Sequence, residues 1–144
     1  MTQENRTEHM DVERFVQLFI RKERRERLMY ELARPEKQAA GLDRFCHQSR
    51  LLLDPKMVRM EGTDLERRSA FRRFVEVHDE LCLVLSPDFY LDECLLPLER
   101  AVAQAAICCD AAIVLGSDFA VVFGEAVKGG RDKLLLTEKP LTQI

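Results

Sequence analysis

The chain has 144 residues and a net charge of −3, long enough to bury one hydrophobic core without disulfides or a metal to hold it. Hydrophobic residues make up 47% and charged residues 33%, which excludes a disordered segment and places the chain among globular proteins. The charge is unevenly spread: residues 1–78 hold 17 Lys and Arg against 14 Asp and Glu, while residues 79–144 hold 5 against 11, so a basic first half precedes an acidic second half.

Residues 1–10 are polar, lack the apolar run of a secretory signal, and are expected to form a tail. Asp11 is a plausible N-cap, and Val12, Phe15, Val16 and Phe19 follow at helical spacing. Residues 21–27 are all charged before Leu28, Met29 and Leu32 resume the stripe. One long helix is predicted across them, because Lys, Arg and Glu have good helix propensity, with two helices meeting near residue 22 as the alternative. Pro35 ends this helix at about Ala33 and opens a second, to about Ser49, with Leu42, Phe45 and Cys46 inward and Gly41 weakening its middle. Asp54 and Pro55 mark a turn or a new start. Asp64 is expected to cap a helix to about Val77, with Leu65, Phe71, Phe74, Val75 and His78 on one face.

The pattern then changes period. Residues 81–85 read as a strand covered on both faces, and Pro97 suits the start of a helix running to about Ala106. Residues 111–115 and 119–123 flank Gly116, Ser117 and Asp118 as a β-hairpin. Residues 128–132 form a second turn and 133–137 a last strand. The predicted fold is α+β, a helical N-terminal half packed on a β-α-β-β-β sheet unit with a C-terminal antiparallel meander. The domain is expected to span residues 11–138, with 139–144 as a tail. The crossover is right-handed if the strands it joins are parallel neighbours.

Five cysteines, Cys46, Cys82, Cys94, Cys108 and Cys109, contain no C-x-x-C pair and lie mostly in apolar runs, which predicts a reducing, cytoplasmic location. No stretch reaches the roughly 20 apolar residues of a membrane span, and no membrane association is expected.

Two surfaces stand out. The loop at 86–93 gathers Asp88, Tyr90, Asp92 and Glu93 just past a strand end, where crossover folds often bind ligands. A calcium loop counted from Asp88 fits at Asp92 and Glu99 but fails at Glu93 and Leu96, so turn and helix capping is the expected role. Arg21, Arg24 and Arg25, together with Arg67, Arg68 and Arg72, supply clustered cations for phosphates or for an acidic protein partner. Interspersed Glu23, Glu26, Glu66 and Glu76 and the acidic whole weaken the nucleic-acid reading.

Cys46 and His47, as helix neighbours, point about 100° apart and do not make a nucleophile–base pair. Cys108 and Cys109 lack metal-ligand spacing. No glycine pattern forms a phosphate loop, so no catalytic residue, metal or cofactor is assigned. The expected function is that of a non-enzymatic interaction or regulatory protein of adaptor, inhibitor or immunity type, binding another protein. A nucleic-acid-associated factor and a small metal- or cysteine-dependent enzyme are the alternatives. Since a single helical layer covers one sheet face, homodimerisation through the sheet is also expected.

Overall fold

The computed structural model describes residues 9–46, 57–58, 63–86, 92–108, 112–125 and 131–137. Helix α1 (Val12–Phe19) starts at the expected cap: the Asp11 carboxylate accepts from the Arg14 backbone N–H at 2.8 Å, satisfying one donor that a helix start leaves open. Phe15, Val16 and Phe19 are buried along one stripe.

The helix does not continue to residue 33. Ile20 and Arg21 are extended, with ψ of 140° and 139°. A 3-10 turn covers Lys22–Arg24, and α2 (Arg25–Leu32) restarts the helix. Residues 21–27 offer no apolar face, so packing decides over propensity. Turning at Ile20 puts Ile20, Leu28 and Leu32 into the core that already holds Phe15 and Phe19. Arg25 Nε then donates to the Ile20 carbonyl at 2.8 Å, occupying an acceptor that the break exposes.

Helix α3 (Pro35–Cys46) begins at its proline as expected; His47 and Ser49 lie outside the described residues, as do Asp54 and Pro55. Gly41 does more than weaken this helix. A Cβ at that position would lie 3.0 Å from Glu31 Cβ, so glycine is what lets α3 approach α2. Across the same contact the Glu31 carboxylate accepts from both terminal nitrogens of Arg44, Nη1 to Oε2 at 2.7 Å and Nη2 to Oε1. Phe45 meets Phe15 edge-on, ring centroids 5.9 Å apart.

A two-residue strand, β1 (Met57–Val58), precedes α4 (Asp64–Val77). The α4 cap is Thr63, one residue before the expected Asp64. Its hydroxyl accepts from Glu66 N at 3.1 Å, and Glu66 Oε1 accepts from Thr63 N at 2.7 Å, a reciprocal box. Phe71 and Phe74 are buried, but Leu65, predicted inward, is 72% exposed: it lies in the first turn, ahead of the helix's contact with the sheet.

The remaining elements are β2 (Leu81–Leu85), β3 (Leu95–Pro97), α5 (Leu98–Cys108), β4 (Ala112–Leu115), β5 (Phe119–Glu125) and β6 (Arg131–Thr137). They form an α+β fold around one sheet of order β1-β6-β5-β4-β2-β3, antiparallel at every pairing. The meander β4–β5–β6 matches the expectation, with Arg131 and Asp132 inside β6 rather than in the turn before it. The helix does not join β2 to a parallel neighbour: it connects β3 to β4, which run parallel with β2 antiparallel between them. The extra strand β3 returns the chain to the end where β2 began, so α5 delivers β4 antiparallel to β2, with Leu83 opposite Leu115. Pro97 therefore closes β3, and α5 starts one residue later.

Alternation along the strands divides the core in two. Cys82, Val84, Ala112, Val114, Phe119, Val121 and Phe123 face α4 and α5, packing with Phe71, Phe74, Leu98, Ala101 and Ala105. Leu83, Leu85, Ile113, Leu115, Ala120 and Val122 face α1, α2 and α3. The central strands are thus apolar throughout because helices of the same chain cover both faces. That arrangement replaces the single helical layer expected over the central strands.

Candidate functional site

The hairpin of β2 and β3 carries two of the loop residues singled out in the sequence, and its geometry fixes both. Val84 N donates to the Cys94 carbonyl at 3.0 Å, while Glu93 N donates to the Val84 carbonyl at 2.7 Å. Two residues, Glu93 and Cys94, thus oppose one, which is a β-bulge. Glu93 sits in its first position with φ of 64°, the left-handed region that usually calls for glycine. Asp92 Oδ1 accepts from Ser86 N at 2.9 Å, closing the mouth of the loop. The bond bridges the two ends of the loop, whereas the sequence led to a cap on a turn or helix start; Asp88 and Tyr90 lie outside the described residues.

Asp92 and Glu93 stand on the rim of a groove of about 530 Å³. Its floor is the α1–α3 face of the hairpin, where Leu83, Leu85 and Leu95 share one side by strand alternation. One wall is the approach to α1, with His9, Asp11 and Val12; the other is the α2–α3 corner, with Leu32, Ala33, Pro35 and Gln38. The groove exists because α1–α3 sit over β4 and β5 and stop short of the β3 edge, where Leu95 is 54% exposed. The first wall is anchored at a distance: Met10 N donates to the Gly116 carbonyl at 2.7 Å, and His9 Nδ1 lies 2.8 Å from the Met10 carbonyl, which can only accept.

The arginines are not brought together. Arg21, Arg24 and Arg25 lie on the α1–α3 side of the sheet, and Arg67, Arg68 and Arg72 on α4 across it. Arg25 is spent on the Ile20 carbonyl. Arg72 enters a second groove of about 530 Å³ with Val75, Glu76, Asp79 and Glu99, where three carboxylates face one guanidinium. A continuous cationic track for phosphates is not built from these six residues.

Cys82 is a poor nucleophile. Cys82 is fully buried, and burial, followed by the charges of Glu80 and Asp79, pushes its thiol up to about 12. Its Sγ donates to the Glu80 carbonyl at 3.4 Å. The side chains of Cys46 and Cys108, and all of Cys109, lie outside the described residues. Among the described residues no group of three or more His, Cys, Asp or Glu is placed to hold a metal ion, and no helix is long and apolar enough to cross a membrane.

Sequence reasoning missed the groove's walls and floor. Leu95 belongs beside Leu83 only once β3 is recognised, and a three-residue strand ending in proline gives no periodic signal. Glu80 was missed too. Its carboxylate accepts from Ser117 N at 2.6 Å and from Ser117 Oγ at 3.2 Å, tying the β4–β5 turn to the start of β2. Comparison with known proteins returns no matching family model, no matching curated protein and no matching solved structure.

Proposed function

We propose that the chain is a non-enzymatic protein-interaction module of adaptor or inhibitor type, and that it contacts its partner through the groove between the β2–β3 hairpin and the α1–α3 layer. One observation carries the reading. On a sheet whose central strands are covered on both faces, the leucines of this hairpin end in a concave, open surface with a polar rim. Concave apolar surfaces with a few placed polar groups are where proteins bind ligands and partners. The rim is held where the Asp11 and Asp92 carboxylates accept from backbone N–H groups and where Glu93 N donates to the Val84 carbonyl, so little ordering cost is left for binding.

Nucleic-acid binding through the arginine-bearing helices is the weaker reading, since those residues divide between opposite layers. The test is site-specific photo-crosslinking in the native host. A benzophenone side chain at Leu95 is expected to capture a discrete second polypeptide, and the same group at Ser69, exposed on α4, is expected not to. Equal capture from both positions, or none from Leu95, would remove the groove from this role.

A further inference from the structure

We infer that the groove receives a basic segment of another protein, an apolar anchor residue flanked by Lys or Arg, read through its side chains rather than added as a strand. The inference rests on the interaction reading above and deepens it by naming the chemistry of the partner.

Charge complementarity comes first. The acidic groups lining the groove are Asp11, Asp92 and Glu93, and no Lys or Arg lines it among the described residues. Arg34, which sits between wall residues Ala33 and Pro35, is drawn over the Tyr30 ring, 3.9 Å from its centroid. Asp11 and Asp92 are each fixed by one hydrogen bond to a backbone N–H. An ionised carboxylate has about four acceptor sites, so each keeps capacity for a guanidinium or ammonium. A cationic side chain entering this concavity meets three carboxylates, an attraction open to a basic partner and denied to an acidic one.

The edge of the sheet excludes the other common mode of peptide capture. Hydrogen bonds from Val84 N to the Cys94 carbonyl and from Leu98 N to the Glu80 carbonyl turn the even-numbered residues of β3 towards β2. Leu95 and Pro97 therefore present their backbone to the outside. Pro97 has no N–H, and the bulge at Glu93 bends the strand just before it, both devices that blunt an edge. An added strand would find one amide donor, at Leu95. The floor of Leu83, Leu85 and Leu95 instead offers an apolar side chain a place to insert, with the carboxylates positioned around it.

Selection of short random peptides displayed on phage against the full chain tests the inference. Enriched sequences are expected to carry Lys or Arg next to a large apolar residue. A synthetic peptide of that consensus should bind the wild type and lose about tenfold in affinity, roughly 1.4 kcal/mol, in the Asp92→Asn/Glu93→Gln double variant. That variant keeps an oxygen acceptor for Ser86 N and removes two charges. Leu95→Ser should weaken binding by at least as much, and Glu99→Gln, in the other groove, should leave it unchanged. A consensus without basic residues that still depends on Leu95 overturns the charge inference and leaves the groove standing. Peptides indifferent to Leu95, or no enrichment, overturn both. A doubled mass without peptide, abolished by Leu95→Ser, shows a second copy in the groove and overturns the basic segment.

Discussion

Replacing Glu31 with glutamine keeps the shape of the side chain and removes the charge that joins α2 to α3. The carboxylate is engaged by both terminal nitrogens of Arg44 and lies 3.5 Å from Arg27 Nε; the side chains of Glu31 and Arg44 are 14% and 32% exposed. Fully exposed pairs contribute about 0.2–1 kcal/mol, and removing one partner of a fully buried pair costs about 3–5 kcal/mol. With Arg44 a third exposed and screened accordingly, Glu31→Gln should cost about 1–2 kcal/mol, close to the lower limit, and lower Tm by roughly 3–6 °C. The hydrogen bond from Arg44 holds the Glu31 carboxyl below its ordinary value of 4.5. A carboxylate lowered on folding contributes stability that is complete above its unfolded value and is lost as pH falls through its folded value. Urea unfolding of wild type and variant should therefore show the full gap at pH 7 and a narrowing gap as pH falls below 4.5. A double-mutant cycle with Arg44→Met should return a coupling of about 1 kcal/mol at neutral pH. Equal stabilities at pH 7, or a gap that persists undiminished in acid, would refute the assignment.

Three further outcomes follow from local geometry. Gly116→Ala would place a Cβ 2.4 Å from the Phe119 ring, which is fully buried and edge-on to Phe74; it should lower stability by about 1–3 kcal/mol or more, and an unchanged thermal midpoint would contradict the packing described. Glu93→Gly should raise stability by about 0.5–1 kcal/mol, relief of a left-handed residue worth about 1–2 less the added freedom of glycine in the unfolded chain; destabilisation in urea titration would mean that the bulge carries no such strain. Cys82, its thiol near 12, should resist iodoacetamide at pH 8 in the folded protein and react once unfolded. Peptide mass mapping that finds Cys82 alkylated without unfolding would show that it is not enclosed.

Much of the fold was legible where local chemistry and tertiary packing agree. The hairpin at 112–125 was, because two apolar runs flank Gly116, Ser117 and Asp118. So were α1, from Asp11 and its stripe, and the start of α3 at Pro35. The break at Ile20 was not: propensity over the charged run favours a continuous helix, and what overrules it is the core position of Leu28 and Leu32 relative to Phe15. The direction of β4 depended on β3, whose brevity and terminal proline conceal it. Of the site, Asp92 and Glu93 were legible as polar residues past a strand end, but the bond from Ser86 N across the loop to Asp92 was not. The leucine floor and the walls from α1 and α2–α3 bring together residues more than 50 apart, such as Val12 and Leu83 on one groove, which no local pattern records.

The division of the core between two faces also sets an order of events during synthesis. Phe15, Phe19, Leu28 and Leu32 reach their final packing only against Ile113, Ala120 and Val122. At about 5–20 residues per second, the roughly 100 residues between them take on the order of 5–20 s to emerge. For that interval the N-terminal helices present a leucine- and phenylalanine-bearing stripe that β4 and β5 do not yet cover. Holdase chaperones recognise such surfaces, and the ribosome-bound nascent chain should be their substrate until β5 appears and releases them.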